Sequence, residues 1–396
     1  MTLLTRLLTD GFRIFFLSAL IFALVTVGLW EVWLASNLDL PVSMPPQQWH
    51  AHEMIFGYGT AALGGFLLTA VPNWTGGKGA ARRFITLAFA LWLVGRLAML
   101  FSDFLPAAFV TLADLAFVPA LILKIGLLLM ARPKPQQMIF LLALSILWAG
   151  NLMCHLEWLG LVADGTAPGL RAGLLTLVAM IVILGGRVTP GFTKNAMVQS
   201  GRTDRLPRTP APLAIAAIAP ALTLPVATLL GLPDALIAAL AIFAGAAVLA
   251  RVALWQGLWT LPRPILWTLH LSYAVTGLGL VAHGLAAIGI GSEIGALHIL
   301  GIGSVGGMTL SVLSRAALGH SGRPLIAARP LALAYGLLPL AALSRYTAAT
   351  VPDLYTPATL TAGALWLAAF ALALANLWPA LLLPRPPRAP VGKPPQ

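Results

Sequence analysis

Apolar runs of roughly twenty residues recur along the whole chain, separated by short stretches that carry polar residues, glycine or proline. A helix needs about 20 apolar residues to cross about 30 Å of hydrocarbon. The pattern predicts twelve spans, at 12–35, 50–71, 84–101, 107–130, 137–160, 170–187, 211–231, 233–256, 265–289, 293–315, 329–347 and 358–382. Gly231, Pro233 and Asp234 divide the closely spaced pair at 211–256. Barrel strands would alternate polar and apolar positions in segments of about 10 residues, and these runs do not. With no water in the bilayer core, helices are the remaining solution. The expected fold is an all-α polytopic membrane protein, a bundle of about twelve transmembrane helices.

Composition agrees with that reading. Hydrophobic residues make up 59% of the 396 positions and charged residues 9%, against about 25% charged in a soluble domain. A soluble enzyme, a coiled coil and a disordered chain are excluded. The net charge of +12 would suggest nucleic acid in a soluble protein, but its distribution says otherwise. Nineteen of the 24 basic residues fall in alternate loops and at the ends, among them Arg6, Arg13, Lys78, Arg82, Arg132, Lys194, Arg323, Arg388 and Lys393. The opposite loops hold only Arg171 and Arg345, with one acid each: Asp39, Asp103, Asp164, Asp234, Glu293 and Asp353. By the positive-inside rule this asymmetry predicts cytoplasmic termini and an even number of spans. The partner implied is the lipid bilayer, and no nucleic acid.

The organisation expected is a single transmembrane domain, 1–396. Two six-helix halves, 1–187 and 211–384, are joined by a basic cytoplasmic loop at 188–210, and a tail follows at 385–396. The first apolar run is longer than the 7–15 residues of a signal-peptide core and no small-residue cleavage site follows it, so a retained span is expected. The sole cysteine, Cys154, excludes structural disulfides and all-cysteine metal sites. The absence of a Cys-x-x-Cys-His motif excludes covalent c-type haem.

The seven histidines carry the candidate chemistry. Given the spans, His50, His52, His155, His283 and His298 all fall within roughly 10 Å of the outer boundary at 1.5 Å per residue. His270 lies towards the inner side, and His320 is in a cytoplasmic loop. One histidine near an interface ordinarily just forms a hydrogen bond. Five at one depth suggest a metal or haem site, because ionisable groups inside membranes tend to be functional and imidazole suits iron, copper and zinc. In His50-Ala51-His52-Glu53, residues two apart on a helix point about 200° from each other. His52 is expected to face inward with His50 before the helix start, and Glu53 to orient an imidazole or carry protons. Arg96 and Asp114 fall at similar depth. They read either as a buried ion pair or, for Arg96, as the anchor of a haem propionate. Lys124 and Arg251 are expected to snorkel towards the inner boundary. Gly301-x-Gly303-x-x-Gly306 matches a dinucleotide-binding string, but it sits mid-membrane without the strand that fingerprint requires. The useful pattern there is Gly303-x-x-x-Gly307, which allows close helix approach.

Several of these stretches resemble the NnrS family of bacterial inner-membrane proteins linked to nitric-oxide metabolism. They are Trp49-His-Ala-His-Glu-Met-Ile-Phe-Gly57, Gly65-Phe-Leu-Leu-Thr-Ala-Val-Pro-Asn-Trp-Thr-Gly76, Trp92-Leu-Val-Gly-Arg96, Gly185-Gly-Arg-Val-Thr-Pro-Gly-Phe-Thr193, His298 through Arg315, and Gly319-His-Ser-Gly-Arg-Pro-Leu325. The resemblance implies twelve spans, non-covalent haem of b type, copper as a second cofactor, and a role in resistance to nitrosative stress. Its motif histidines fall on His50, His52, His298 and His320, and more loosely on His270.

The leading expectation is a haem on the outer side that binds nitric oxide, a small uncharged molecule needing no polar pore. Reduction of nitric oxide to nitrous oxide at the same site is the runner-up, with a quinol as electron donor and Glu53, Glu157 and Glu31 as proton carriers. His52 and His298 are the first haem-ligand candidates, followed by Arg96, His270 and His283. His50, His52, His155 and His298 are the metal-ligand candidates. Two rival classes stay open: a twelve-helix transporter, and a non-catalytic protein that carries haem or metal for others.

Overall fold

The computed structural model describes residues 2–36, 39–131 and 133–387. Arg132, Arg388 and Lys393, counted in the basic loops and tail, lie outside them. Twelve long helices follow one another: α1 Gly11–Ser36, α2 Pro46–Thr75, α3 Arg82–Leu100, α4 Ala107–Ala131, α5 Pro135–Trp158, α6 Thr166–Gln199, α7 Ala211–Leu229, α8 Asp234–Ala253, α9 Pro264–Ala287, α10 Glu293–His320, α11 Arg329–Thr350 and α12 Tyr355–Leu382. No strand occurs among the described residues, so the chain is an all-α polytopic membrane protein. Eleven of the helices are long and apolar enough to span a bilayer. The exception is α11, the expected eleventh span. It is a 22-residue helix, but Arg345, Tyr335, Tyr346, Ser344 and Pro339 dilute its apolar character.

The expected loop at 188–210 is corrected by the structure. Helix α6 runs on to Gln199, 34 residues in all, or about 51 Å at 1.5 Å per residue. Apolarity stops near Arg187 because the hydrocarbon does, and the helix continues beyond that point. Only about ten residues then separate it from α7. Pro190 lies inside this helix and lacks the N–H that Gly186 O would otherwise accept. Arg251 supplies the missing donor: its Nη2 donates to Gly186 O at 3.1 Å and its Nη1 to Val182 O at 3.2 Å. Tyr273 Oη also donates to Val182 O, at 3.0 Å. Arg251 therefore does not snorkel. It is 2% exposed, and Gly186 must lack a Cβ because one would overlap the guanidinium. The same rule operates in α4. Pro119 frees Leu115 O, Trp148 Nε1 donates to it at 3.1 Å, and the helix is interrupted at Ala116.

Close approaches follow the small residues. A Cβ on Gly303 would meet Val275, and one on Gly307 would meet Ser272, so α10 lies tightly on α9 as the Gly303-x-x-x-Gly307 spacing predicts. The first and last helices also pack together. Arg13 donates to Leu381 O at 2.7 Å and Ala380 O at 3.2 Å, Arg6 donates to Leu382 O at 2.7 Å, and Trp366 Nε1 donates to Ala23 O at 3.1 Å. These arginines satisfy carbonyls that a helix C-terminus leaves unpaired and meet its negative dipole end. The Gly319–Leu325 stretch joins the same junction. Arg385 donates to His320 O at 3.0 Å, and Gly322 takes a positive φ of 73° with the Arg385 stem packed where its Cβ would be.

Replacing Arg251 by leucine leaves Gly186 O without a donor, at a cost of about 1–3 kcal/mol, and removes one of the two side-chain donors to Val182 O. Thermal unfolding in detergent is expected to shift down strongly for Arg251→Leu. Adding Pro190→Ala, which restores the N–H for Gly186 O, is expected to recover part of the loss.

Candidate functional site

The site is built where α2 and α10 depart from regular winding. Each begins as a short α-helical piece, Pro46–His52 in α2 and Glu293–His298 in α10. Each then passes through a π-helical segment, Glu53–Gly59 and Ile299–Gly306, before returning to α-helix. In both, a histidine is the last residue before the wider turn. π-Segments widen the helix and often mark functional sites. Here both line the same cavity, which opens to the surface past Gln47 and Pro352, one with Met54, Ile55 and Tyr58, the other with Gly301, Ile302 and Val305.

That cavity has a volume of about 840 Å³ and is walled by α1, α2, α6, α10, α11 and α12. Its lining is mainly apolar, with Glu31, Arg171, Arg345, His50 and His298 as the groups able to bind or exchange protons. His298 is oriented by its own helix: Nδ1 donates to Ile294 O at 2.7 Å, which leaves Nε2 as the free lone pair. A backbone carbonyl on one imidazole nitrogen is the arrangement that commonly fixes a metal-ligating histidine. His50 stacks on Trp30 with ring centroids 4.6 Å apart, and its buried Nδ1 has no partner. Gly301 has open space where a Cβ would stand, so bare backbone forms part of the wall.

The other face of the same turn of α2 points elsewhere. His52, fully buried, has Nδ1 2.9 Å from Glu53 Oε1 and Nε2 2.7 Å from Asn151 Oδ1 and 3.3 Å from Asp114 Oδ2. His155 donates or accepts at both nitrogens, with Nε2 2.8 Å from Asp114 Oδ2 and Nδ1 3.2 Å from Thr111 Oγ1. Asn151 Nδ2 donates to Asp114 Oδ2 at 2.7 Å. Arg96 bridges the two acids, with Nη1 2.5 Å from Glu53 Oε1 and Nη2 against Asp114 Oδ1. Gly95 lets α4 come this close, since a Cβ there would lie 3.1 Å from Asp114 Cα. His52, Asp114 and His155 each offer a ligand atom, all within 4.8 Å of one another. Two carboxylates face one guanidinium, which leaves one negative charge. A proton shared by the imidazoles or a bound cation balances it. Two imidazoles and a carboxylate suit iron, copper or zinc.

The 200° divergence of His50 and His52 is therefore real, but the helix does not start between them. It starts at Pro46, and the two rings serve different sites. The two first haem-ligand candidates stand apart: His298 shares the cavity with His50, and His52 joins His155. Arg96 is the buried ion-pair partner of Glu53 and Asp114, engaged there rather than with a propionate. Glu53 orients His52. Glu157 accepts from Gly165 N and Thr166 N, both at 2.7 Å, and so caps the start of α6. His270 pairs with Thr193 Oγ1 at 2.9 Å beside Trp255, outside both sites. His283 is buried with neither ring nitrogen partnered and belongs to neither the cavity lining nor the His–Asp group. Asn151, Glu31 and Trp30 are the residues that sequence reasoning left out of its ligand sets or underused. Asn151 is four residues before His155 on one helix face, which is the signal that could have found it.

The sequence profile of the NnrS protein family matches residues 6–385. The chain belongs to the NnrS family. A search of curated proteins returned no match. NnrS membership together with the His52–Asp114–His155 group fits a metal- or haem-binding membrane protein linked to nitric oxide.

Removing one member of a buried ion pair costs about 3–5 kcal/mol, whereas neutralising the whole set costs far less. Arg96→Met is expected to lower the unfolding temperature sharply. The triple variant Arg96→Met, Glu53→Gln, Asp114→Asn is expected to recover most of the loss in the same measurement.

Proposed function

We propose that this protein is a haem-binding nitric-oxide protein of the bacterial inner membrane, with copper at a second, adjacent site. The observation that carries the reading is the cavity of about 840 Å³, within the 300–1,000 Å³ usual for cofactor pockets, with His298 held by Ile294 O so that Nε2 is free. The residues present fit the group: an axial imidazole, a wall of bare backbone at Gly301, and two guanidinium groups, Arg171 and Arg345, for carboxylates. His298 would hold the haem iron, and His50, stacked on Trp30, would face it from α2. Haem bound by one imidazole supplies an iron position at which nitric oxide binds. The apolar walls would limit water around the group, and Arg171 and Arg345 would offer guanidinium N–H groups to its carboxylates. Copper would be held by His52, Asp114 and His155, with Asn151 and Glu53 fixing the His52 ring.

A second reading is catalytic. Conversion of two nitric oxide molecules to nitrous oxide and water takes two protons and two electrons. Glu31 favours it, because a carboxyl group lining an otherwise apolar cavity would relay protons to the site, and a quinol would be the two-electron donor. Glu53 holds His52 in this scheme and Glu157 stays a cap.

The test is the absorbance of protein purified from haem-replete cells, with metal content measured in parallel. A Soret band that shifts with nitric oxide is expected in the parent. Its loss is expected in His298→Ala and its perturbation in His50→Ala, with His283→Ala unchanged. Asp114→Asn is expected to lose copper while keeping haem. A haem-free protein that catalyses solute uptake into vesicles would instead support a transporter. Haem handed to another protein without turnover would support a carrier.

A further inference from the structure

A second cavity, of about 70 Å³, adjoins the first. Its walls come from α1, α2, α6 and α10, with Phe16, Ala62, Phe66, Met180 and Met308 among them, and the one side-chain hydroxyl is that of Thr309. Leu177 and Val305 line both cavities, so two aliphatic side chains form the partition between them. The chamber depends on missing side chains. A Cβ on Gly59 would lie 2.6 Å from Leu177 Cδ1, and one on Gly185 would lie 3.0 Å from Met308 Cε. Away from the partition, Leu63, Leu184, Val188 and Val312 are only half-buried. Leu63, Leu184 and Val312 sit within spans, so their open side meets lipid hydrocarbon, with Val188 at its boundary.

Such a space discriminates by polarity and size. A buried water needs two to four polar partners, and this chamber offers a single hydroxyl. A water's share of liquid volume is about 30 Å³, and dry apolar cavities take up xenon or benzene instead. The chamber is too small for a haem or a quinone ring and suits a molecule of two or three heavy atoms. A small uncharged gas dissolved in the bilayer would reach it through the lipid-facing side without crossing a polar layer.

We propose that this chamber is a binding site for a small apolar gas, which enters from the bilayer and passes between Leu177 and Val305 into the large cavity. The identity of the gas as nitric oxide rests on the reading above, whereas the site itself requires no cofactor.

Xenon distinguishes the two. Cofactor-free protein pressurised with xenon is expected to show one bound atom between Met180 and Met308, by anomalous scattering or xenon magnetic resonance. The signal is expected to vanish in Ala62→Phe and, from the rim, in Val312→Phe. In haem-loaded protein, Leu177→Trp is expected to slow both association and release of nitric oxide by on the order of tenfold at unchanged Kd, as a gating step does. No xenon in the chamber, or an acyl chain filling it, overturns the site. Xenon binding with unaltered gas kinetics in Leu177→Trp overturns the passage. Failure of the haem reading would appear separately, as a missing Soret band with the xenon result intact.

Discussion

Hydrocarbon offers no hydrogen-bond partner, so backbone groups freed within these spans and buried charges are costly unless the protein itself supplies one. That constraint decides which residues can be present at all. Pro190 is tolerated in α6 because Arg251 covers the carbonyl it frees, and Pro119 in α4 because Trp148 does the same. Glu53 and Asp114 are tolerated because Arg96 stands between them. Each of these solutions draws a side chain from one helix onto the backbone or acid of another. The polar atoms thereby fix helix order and register, while the apolar residues supply bulk contact without direction.

The two candidate sites arise from the same constraint. Positions two apart on one turn of α2 send His50 to a cavity and His52 to a fully paired cluster. The cluster is dense with hydrogen bonds and holds its members rigidly. The cavity keeps polar atoms unpartnered, the ring nitrogen His50 Nδ1 and the donor Arg345 Nη1, and so retains capacity to bind. A cation in the first and a flat macrocycle in the second would be separated by little more than a single helical turn.

Much of this was legible in the sequence. Span positions and the all-helical class followed from hydropathy, and depth grouped five histidines, of which His50 and His298 line the cavity, His52 and His155 join the Asp114 cluster, and His283 joins neither. What was lost was azimuth. A π-helical segment adds a residue to a turn and so rotates everything after it by roughly 100°, and no simple period in Glu53–Gly59 or Ile299–Gly306 signals it. Each histidine precedes its π-segment, so its bearing relative to the rest of its helix is not readable from spacing. Arg251 was placed at a boundary because its neighbours gave no hint that Pro190, sixty-one residues earlier, needed a donor. The end of α6 was misjudged because hydropathy measures the bilayer and not the helix.

The junction of α1 with α12 has a temporal consequence. Arg13 finds its acceptors 367 and 368 residues further along the chain. At synthesis rates of about 5–20 residues per second, α1 resides in the bilayer for on the order of 20 to 70 s before α12 exists. Throughout that interval the guanidinium near its end has only Asp10, lipid headgroups and interfacial water for company. The first helix to enter the membrane is thus among the last to acquire its final neighbours, and the bundle closes only when the twelfth arrives.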